Sequence, residues 1–327
     1  MRKKRIWKFV IVLAKIALAV FVIYYLFKSE WLTKDAFTRL FRVEHILFIL
    51  LSGSFYLITQ ILCTSRLVLL LRAIHFPLRF FRIFKLVMIG NFFNTIIPGM
   101  IGGDFIKSLY LMKGEEGKRG QSAGIVIMDR ALGFLALLWI GGVSLIYLLW
   151  QKSKVLNSFH NEMYIAIGAI GCISIFFGVL IIFSRNERAR RKIASVFTAF
   201  FRKGILYNML DGFGALMKHR LILGYSLLVS VLIQIFSLAG LLILANLVSE
   251  TLPDMITLAG VSAIVVLVNI IPVTPGNLGW TELIAALCWS AVGSNAGATI
   301  FLNWRIVTVM FSLPWGLVFL SMTDWRK

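Results

Sequence analysis

Among the charged residues in or beside the long apolar runs of this chain, five have types and spacing that could do chemistry: Asp104, Asp129, Arg130, Glu282 and Arg305. Two of the acids follow matching breaks. Pro98-Gly99-x-x-Gly102 recurs as Pro275-Gly276-x-x-Gly279, an asparagine stands before each (Asn94, Asn269), and an acid follows each within three residues (Asp104, Glu282). Arg130 then lies 26 residues beyond Asp104, and Arg305 lies 23 beyond Glu282, each inside the next apolar run.

A charged arginine in hydrocarbon is costly, so it is expected to face a partner or a water-filled cavity. Proline and glycine at this density interrupt a helix, and the freed backbone groups must be satisfied by protein or by water in a cavity. Free N–H groups beside Gly99, Gly102, Gly103, Gly276 and Gly279 favour a phosphate. The constellation therefore suits an anion, and the candidate substrate-binding set is Arg130 and Arg305 with Asp104, Asp129, Glu282, Asn94, Asn269 and these glycines. Two roles fit the charged pairs. The acids can hold the arginines while the site is empty and yield them to a phosphodiester, or Asp104–Arg130 and Glu282–Arg305 can be permanent ion pairs that lock the breaks.

The elements that position these residues follow from composition and run length. Of 327 residues, 59% are hydrophobic and only 15% charged, with a mean hydropathy of +0.89, which excludes an ordinary water-soluble domain. Apolar runs of the roughly 20 residues needed to cross a bilayer predict spans at 6–27, 46–71, 122–150, 163–183, 221–248 and 297–320. Interrupted apolar stretches at 83–112 and 255–293 hold the two breaks. The expected fold is an all-α polytopic membrane protein, a single membrane domain over 1–327 with about six full spans and two broken or re-entrant hairpins. The first run, with its basic head Arg2-Lys3-Lys4-Arg5, is longer than a signal-peptide core and reads as an anchor.

Lysine and arginine set the orientation. Arg72, Arg79, Arg82 and Lys85 follow the second span, Lys107, Lys113, Lys118 and Arg119 follow the first break, and the loop 185–220 is the most basic of all. These segments and both termini are expected in the cytoplasm of a prokaryotic cell with the chain in its inner membrane, while 249–254 and 293–296, which carry no basic residue, face outside. The loop 28–45, placed outside, runs against the trend with Lys28, Lys34, Arg39 and Arg42, offset in part by Glu30, Asp35 and Glu44. Helices starting near Ser122 and Gly297 put both arginines eight residues in, roughly 12 Å deep at 1.5 Å per residue and near the midplane of a core about 30 Å thick. The two halves, 1–150 and 163–327, then run in opposite senses as an inverted repeat, the arrangement of transporters whose site lies at the repeat interface.

The remaining features are less specific. The formal charge of +20 is spread between apolar segments, which points to anionic lipid head groups and away from nucleic acid. Cys63, Cys172 and Cys288 lack metal spacing and read as packing residues without a disulfide. His45, His75, His160 and His219 sit at span ends or in loops and suggest neither a metal nor a triad, and no cofactor is expected. Gly53, Gly133, Gly141, Gly142, Gly240 and Gly260 read as notches for helix packing.

At Asn94 to Asp104, at Arg130, and at Ile271-Pro272-Val273-Thr274-Pro275-Gly276-Asn277-Leu278-Gly279-Trp280-Thr281-Glu282, the sequence resembles the flippase-like membrane domain of lysylphosphatidylglycerol synthases and its stand-alone relatives. The resemblance covers roughly 40–320, and Asn277 departs from a glycine common at that position. It implies movement of a phospholipid or polyprenyl-linked lipid between leaflets. Because the last span is followed at once by Lys327, no aminoacyl-transferring domain is expected. No Walker-type phosphate loop is present, so transport would be driven by a gradient or run downhill. Two other classes stay open: an intramembrane glycosyl- or phospho-transferase using Asp104, Asp129 or Glu282 as base, and a non-catalytic partner of a lipid-modifying enzyme.

Overall fold

The computed structural model describes residues 20, 21, 24, 25, 28, 40–76, 78–96, 102–114, 119–150, 164, 165, 167–175, 179, 216, 219–248, 254–269 and 273–321. The expected span 6–27, the basic loop 185–220, His160 and Gly99 lie wholly or largely outside them, and the span at 163–183 is described only in part.

Among the described residues, eight helices form two sets of four. The first set is α1 (Ile46–Ala73), α2 (Phe80–Ile96), α3 (Gly102–Gly114) and α4 (Arg119–Trp150). The second is α5 (Arg220–Ala245), α6 (Met255–Val268), α7 (Trp280–Ser290) and α8 (Gly297–Ser321). Among the described residues, four stretches are long and apolar enough to cross a membrane, Val43–Ala73, Gly124–Tyr147, Leu221–Ala245 and Gly297–Phe319, and they match four of the six expected spans. The helices beside the breaks have 17, 13, 14 and 11 residues. At 1.5 Å per residue each is roughly 16–26 Å long, short of the ~30 Å hydrocarbon core. The protein is an all-α polytopic membrane protein.

Local signals explain the ends. Beyond α1, His75 takes a left-handed φ of 54°, and the Phe76 N–H reaches back to the Leu71 carbonyl at 3.0 Å, closing the helix as glycine usually does. Gly293, at φ 86°, does the same after α7, with the Ser294 N–H on the Trp289 carbonyl at 3.0 Å. The Asp254 carboxylate starts α6 by accepting the Thr257 N–H (3.0 Å) and hydroxyl (2.7 Å). Partial burial pushes this carboxyl up, but the Thr257 donors outweigh it and hold it below its ordinary value.

Contacts fix the helix directions. Ser52 bonds the Gly240 carbonyl (2.9 Å) and Arg66 bonds Ser230 (2.7 Å), so α1 and α5 are antiparallel. Gln234 reaches the Gly133 carbonyl while Asp129 and Ser230 share Arg66, so α4 runs with α5. Gly141 faces Ala263 and Gly260 faces Ser144, so α6 runs against α4. The pairing pattern is nearly unchanged when each helix is exchanged for the one four places on: α4 packs on α6 as α8 packs on α2, and α3 packs on α4 as α7 packs on α8. Each set also has its own core, one around Leu71, Ile83, Leu111 and Ile125, the other around Val261, Ala285, Trp289 and Ile300.

The expected glycine notches are filled as small residues allow: Phe311 lies on Gly53, Trp304 and Phe55 on Gly240, and Ile170 on Gly142. Gly133 lies against the Arg66 guanidinium. The three cysteines are free thiols. Helix α4 begins at Arg119, three residues before the expected start, which puts Arg130 about 17 Å from its beginning at 1.5 Å per residue, while Arg305 keeps its expected ~12 Å.

Candidate functional site

The first break is stapled by Asn94, whose side-chain oxygen accepts the Gly103 N–H at 2.8 Å. Gly103 is required there, because a methyl on it would come within 2.0 Å of the Gly90 carbonyl oxygen where α2 and α3 cross. This crossing brings Asp104, in the first turn of α3, to two cations. Its Oδ1 accepts from Lys107 Nζ at 3.0 Å and its Oδ2 from Arg130 Nε. The Arg130 side chain is 43% exposed, the more open member of the cluster.

The second break is held more completely. Gly276, Asn277 and Gly279 have φ of 58°, 53° and 79°, the left-handed region open to glycine and tolerated by asparagine, which accounts for Asn277 where a glycine is common. Asn277 also donates to the Asn269 carbonyl, and the Thr281 hydroxyl bonds Asn269 Oδ1 at 2.8 Å. Glu282 is buried with both oxygens engaged, one by the Gly279 N–H (2.7 Å) and one by Arg305 Nε (2.8 Å). Arg305 further donates to the carbonyls of Gly276 (2.6 Å) and Asn277 (3.2 Å) and to Thr281 Oγ1 (2.8 Å). Its side chain is 24% exposed.

Both acid–arginine pairings read from the sequence are thus present. Asp129 is the exception: it turns away from them and accepts Arg66 Nε at 2.7 Å. Buried Arg66, which also bonds Ser230, joins α1, α4 and α5 and was not among the expected site residues. The signal that could have found it is the one applied to Arg130, an arginine inside an apolar run. A second polar knot, Asn91 to Gln60 at 2.5 Å, ties α2 to α1. Among the described residues, the Asn303 carboxamide is buried on α8 with no hydrogen-bond partner, and no group of three or more His, Cys, Asp or Glu could hold a metal ion.

Fold and site together define a multi-pass membrane domain with charged clusters at two helix breaks. Residues 12–316 match the family model of the lysylphosphatidylglycerol synthase transmembrane region, and the chain belongs to that family. It is also 23% identical over 291 residues, 84% of each chain, to a UPF0104 membrane protein of Methanocaldococcus jannaschii. No solved structure matches significantly.

Proposed function

We propose that this protein moves an anionic phospholipid or polyprenyl-linked lipid between the leaflets of the membrane, without altering it covalently. The observation that carries this reading is the Lys107–Asp104–Arg130 cluster, two cations around one carboxylate beside an interrupted membrane helix. A phosphate head group is attracted to such a pair of cations, and the arginine fork is suited to bind it in two places. In Glu282–Arg305 and Asp129–Arg66 a single arginine meets each acid.

Alternating access follows from two inverted halves built on α1–α4 and α5–α8. The antiparallel α1 and α5 support that arrangement. In this reading Arg130 takes the head group while Arg305 holds the second break, the two lying in equivalent places of the repeat. The positive-inside asymmetry supports cytoplasmic placement of 185–220 and outside placement of 293–296. A cysteine at Asn295, in a background without the three native thiols, should be labelled only from outside.

The test is purified protein in liposomes holding a leaflet-marked anionic lipid. Exchange of unmodified lipid is the expected result. A covalently changed lipid would favour a transferase, and neither exchange nor change would leave the chain as a partner for another enzyme.

A further inference from the structure

The geometry points to a single acyl-chain site in the seam between α2 and α8, through which an anionic phospholipid reaches the Lys107–Arg130 cluster from the side. The inference rests on the transport reading and names where its lipid binds.

The two equivalent seams are packed differently. Where α4 meets α6, the backbones are drawn together by small residues: a methyl on Gly260 would come within 2.3 Å of Ser144 Cβ, and one on Gly141 would touch Ala263 at 3.5 Å. Where α2 meets α8, aromatic rings line the seam. The Phe92 ring lies on Gly316, Phe84 stands edge-on to Trp315 with centroids 5.4 Å apart, and Phe93 stands edge-on to Phe319 at 4.9 Å. Between them lies an apolar groove of about 690 Å³, lined by Phe92, Phe93, Met310, Leu313, Pro314 and Leu317. Its size falls within the roughly 300–1,000 Å³ of ligand sites.

Chemistry selects the occupant. Leu313 is 52% and Leu317 71% exposed, so the groove is open along a helix apolar enough to span the membrane, and its surroundings there are hydrocarbon. An apolar chain fits it and a polar one does not. The charged cluster is tied to the chain just beyond the α2 end of the groove. Phe93 adjoins Asn94, which bonds Gly103, and the next residue, Asp104, holds Lys107 and Arg130. An amphiphile with one chain in the groove can therefore place a phosphate beside two cations, while neutral lipid gains only the apolar half of the site.

Two measurements on the full chain in phosphatidylglycerol–phosphatidylcholine liposomes test this. Benzoylphenylalanine is placed at Leu313 and, as a lipid-facing control on α4, at Ile146. Photolysis should label phosphatidylglycerol in preference to phosphatidylcholine at position 313 but not at 146, and Lys107→Gln should remove the preference. In parallel, Leu313→Trp, which fills the groove from its exposed rim, should slow leaflet exchange about tenfold, a change of roughly 1.4 kcal/mol in the barrier, with the thermal midpoint retained. Equal labelling of both lipids at 313, or a cross-link from 313 to residues 6–27 or to a second copy, would overturn the site. So would normal exchange by Leu313→Trp, and in those cases exchange by the native chain keeps the transport reading intact. Preferential labelling at 313 without any native exchange would sink transport and leave the lipid site standing.

Discussion

The two broken hairpins carry the same sequence motif yet are tied down to different degrees. In the second, Glu282 and Arg305 are absorbed into the break itself, since every bond described for them closes on the turn, on its caps or on each other. In the first, Asp104 is shared between two cations, and Arg130 stays substantially exposed. One motif therefore carries arginines of different exposure in the two halves, and the transport reading takes the more exposed one as its site. The two arginines differ in how far they lie within reach of a ligand, with 43% of the Arg130 side chain exposed against 24% of Arg305.

The comparison breaks first on stability. Glu282→Ala leaves Arg305 without its carboxylate and the Gly279 N–H without its acceptor, and removing one partner of a buried pair costs about 3–5 kcal/mol. A large fall of the thermal midpoint in detergent is expected. Asp104→Ala acts on a more open pair and should cost less than half as much. Equal losses would mean that both hairpins are architectural.

Function should show the reverse order. Arg130→Lys keeps the charge but loses the planar fork, so leaflet exchange should drop by about tenfold or more while the midpoint hardly moves. Arg305→Lys should lower both, because one ammonium cannot replace donors aimed at Glu282, Gly276, Asn277 and Thr281. Normal exchange by the doubly neutral Asp104→Asn, Arg130→Gln variant would make the first pair architectural as well.

Asn303 sharpens the picture of the second half. Its carboxamide is buried without a hydrogen-bond partner, so Asn303→Leu should stabilise the protein by roughly 1 kcal/mol and leave exchange unchanged. A stabilised variant that no longer transports would give the second half a polar role in substrate passage.

The smallest effect is expected at the loop end of α6. Asp254→Ala removes the cap on Thr257 and should cost about 0.5–1 kcal/mol at neutral pH. The folded carboxyl sits below its ordinary value, so its contribution is full above the unfolded pKa of about 3.9 and is lost as pH falls through the lower folded one. The difference in thermal midpoint between native and variant protein should accordingly shrink below about pH 4. A difference that stays constant down to pH 2 would place the benefit elsewhere than in the charged cap.

Much of this was legible in the chain itself, and the reason is local. Apolar runs longer than a bilayer is thick have few alternatives to a spanning helix, and proline with glycine inside such a run has to interrupt it. The acid–arginine spacings of 26 and 23 also belong to local geometry. Two antiparallel helices joined by a short connection bring residues equally far from the turn to the same height, so Asp104 meets Arg130 and Glu282 meets Arg305. Only the tertiary structure decided the rest. Asp129 lies beside Arg130 in sequence but pairs with Arg66, 63 residues away, and Arg66 reaches Ser230, 164 residues away. The small-residue α4–α6 seam and the aromatic-lined α2–α8 seam depend likewise on which glycine meets which side chain across helices far apart in the chain. Composition and spacing fix what each helix can offer, but the facing residue, and with it the difference between a locked break and an open one, is set by packing.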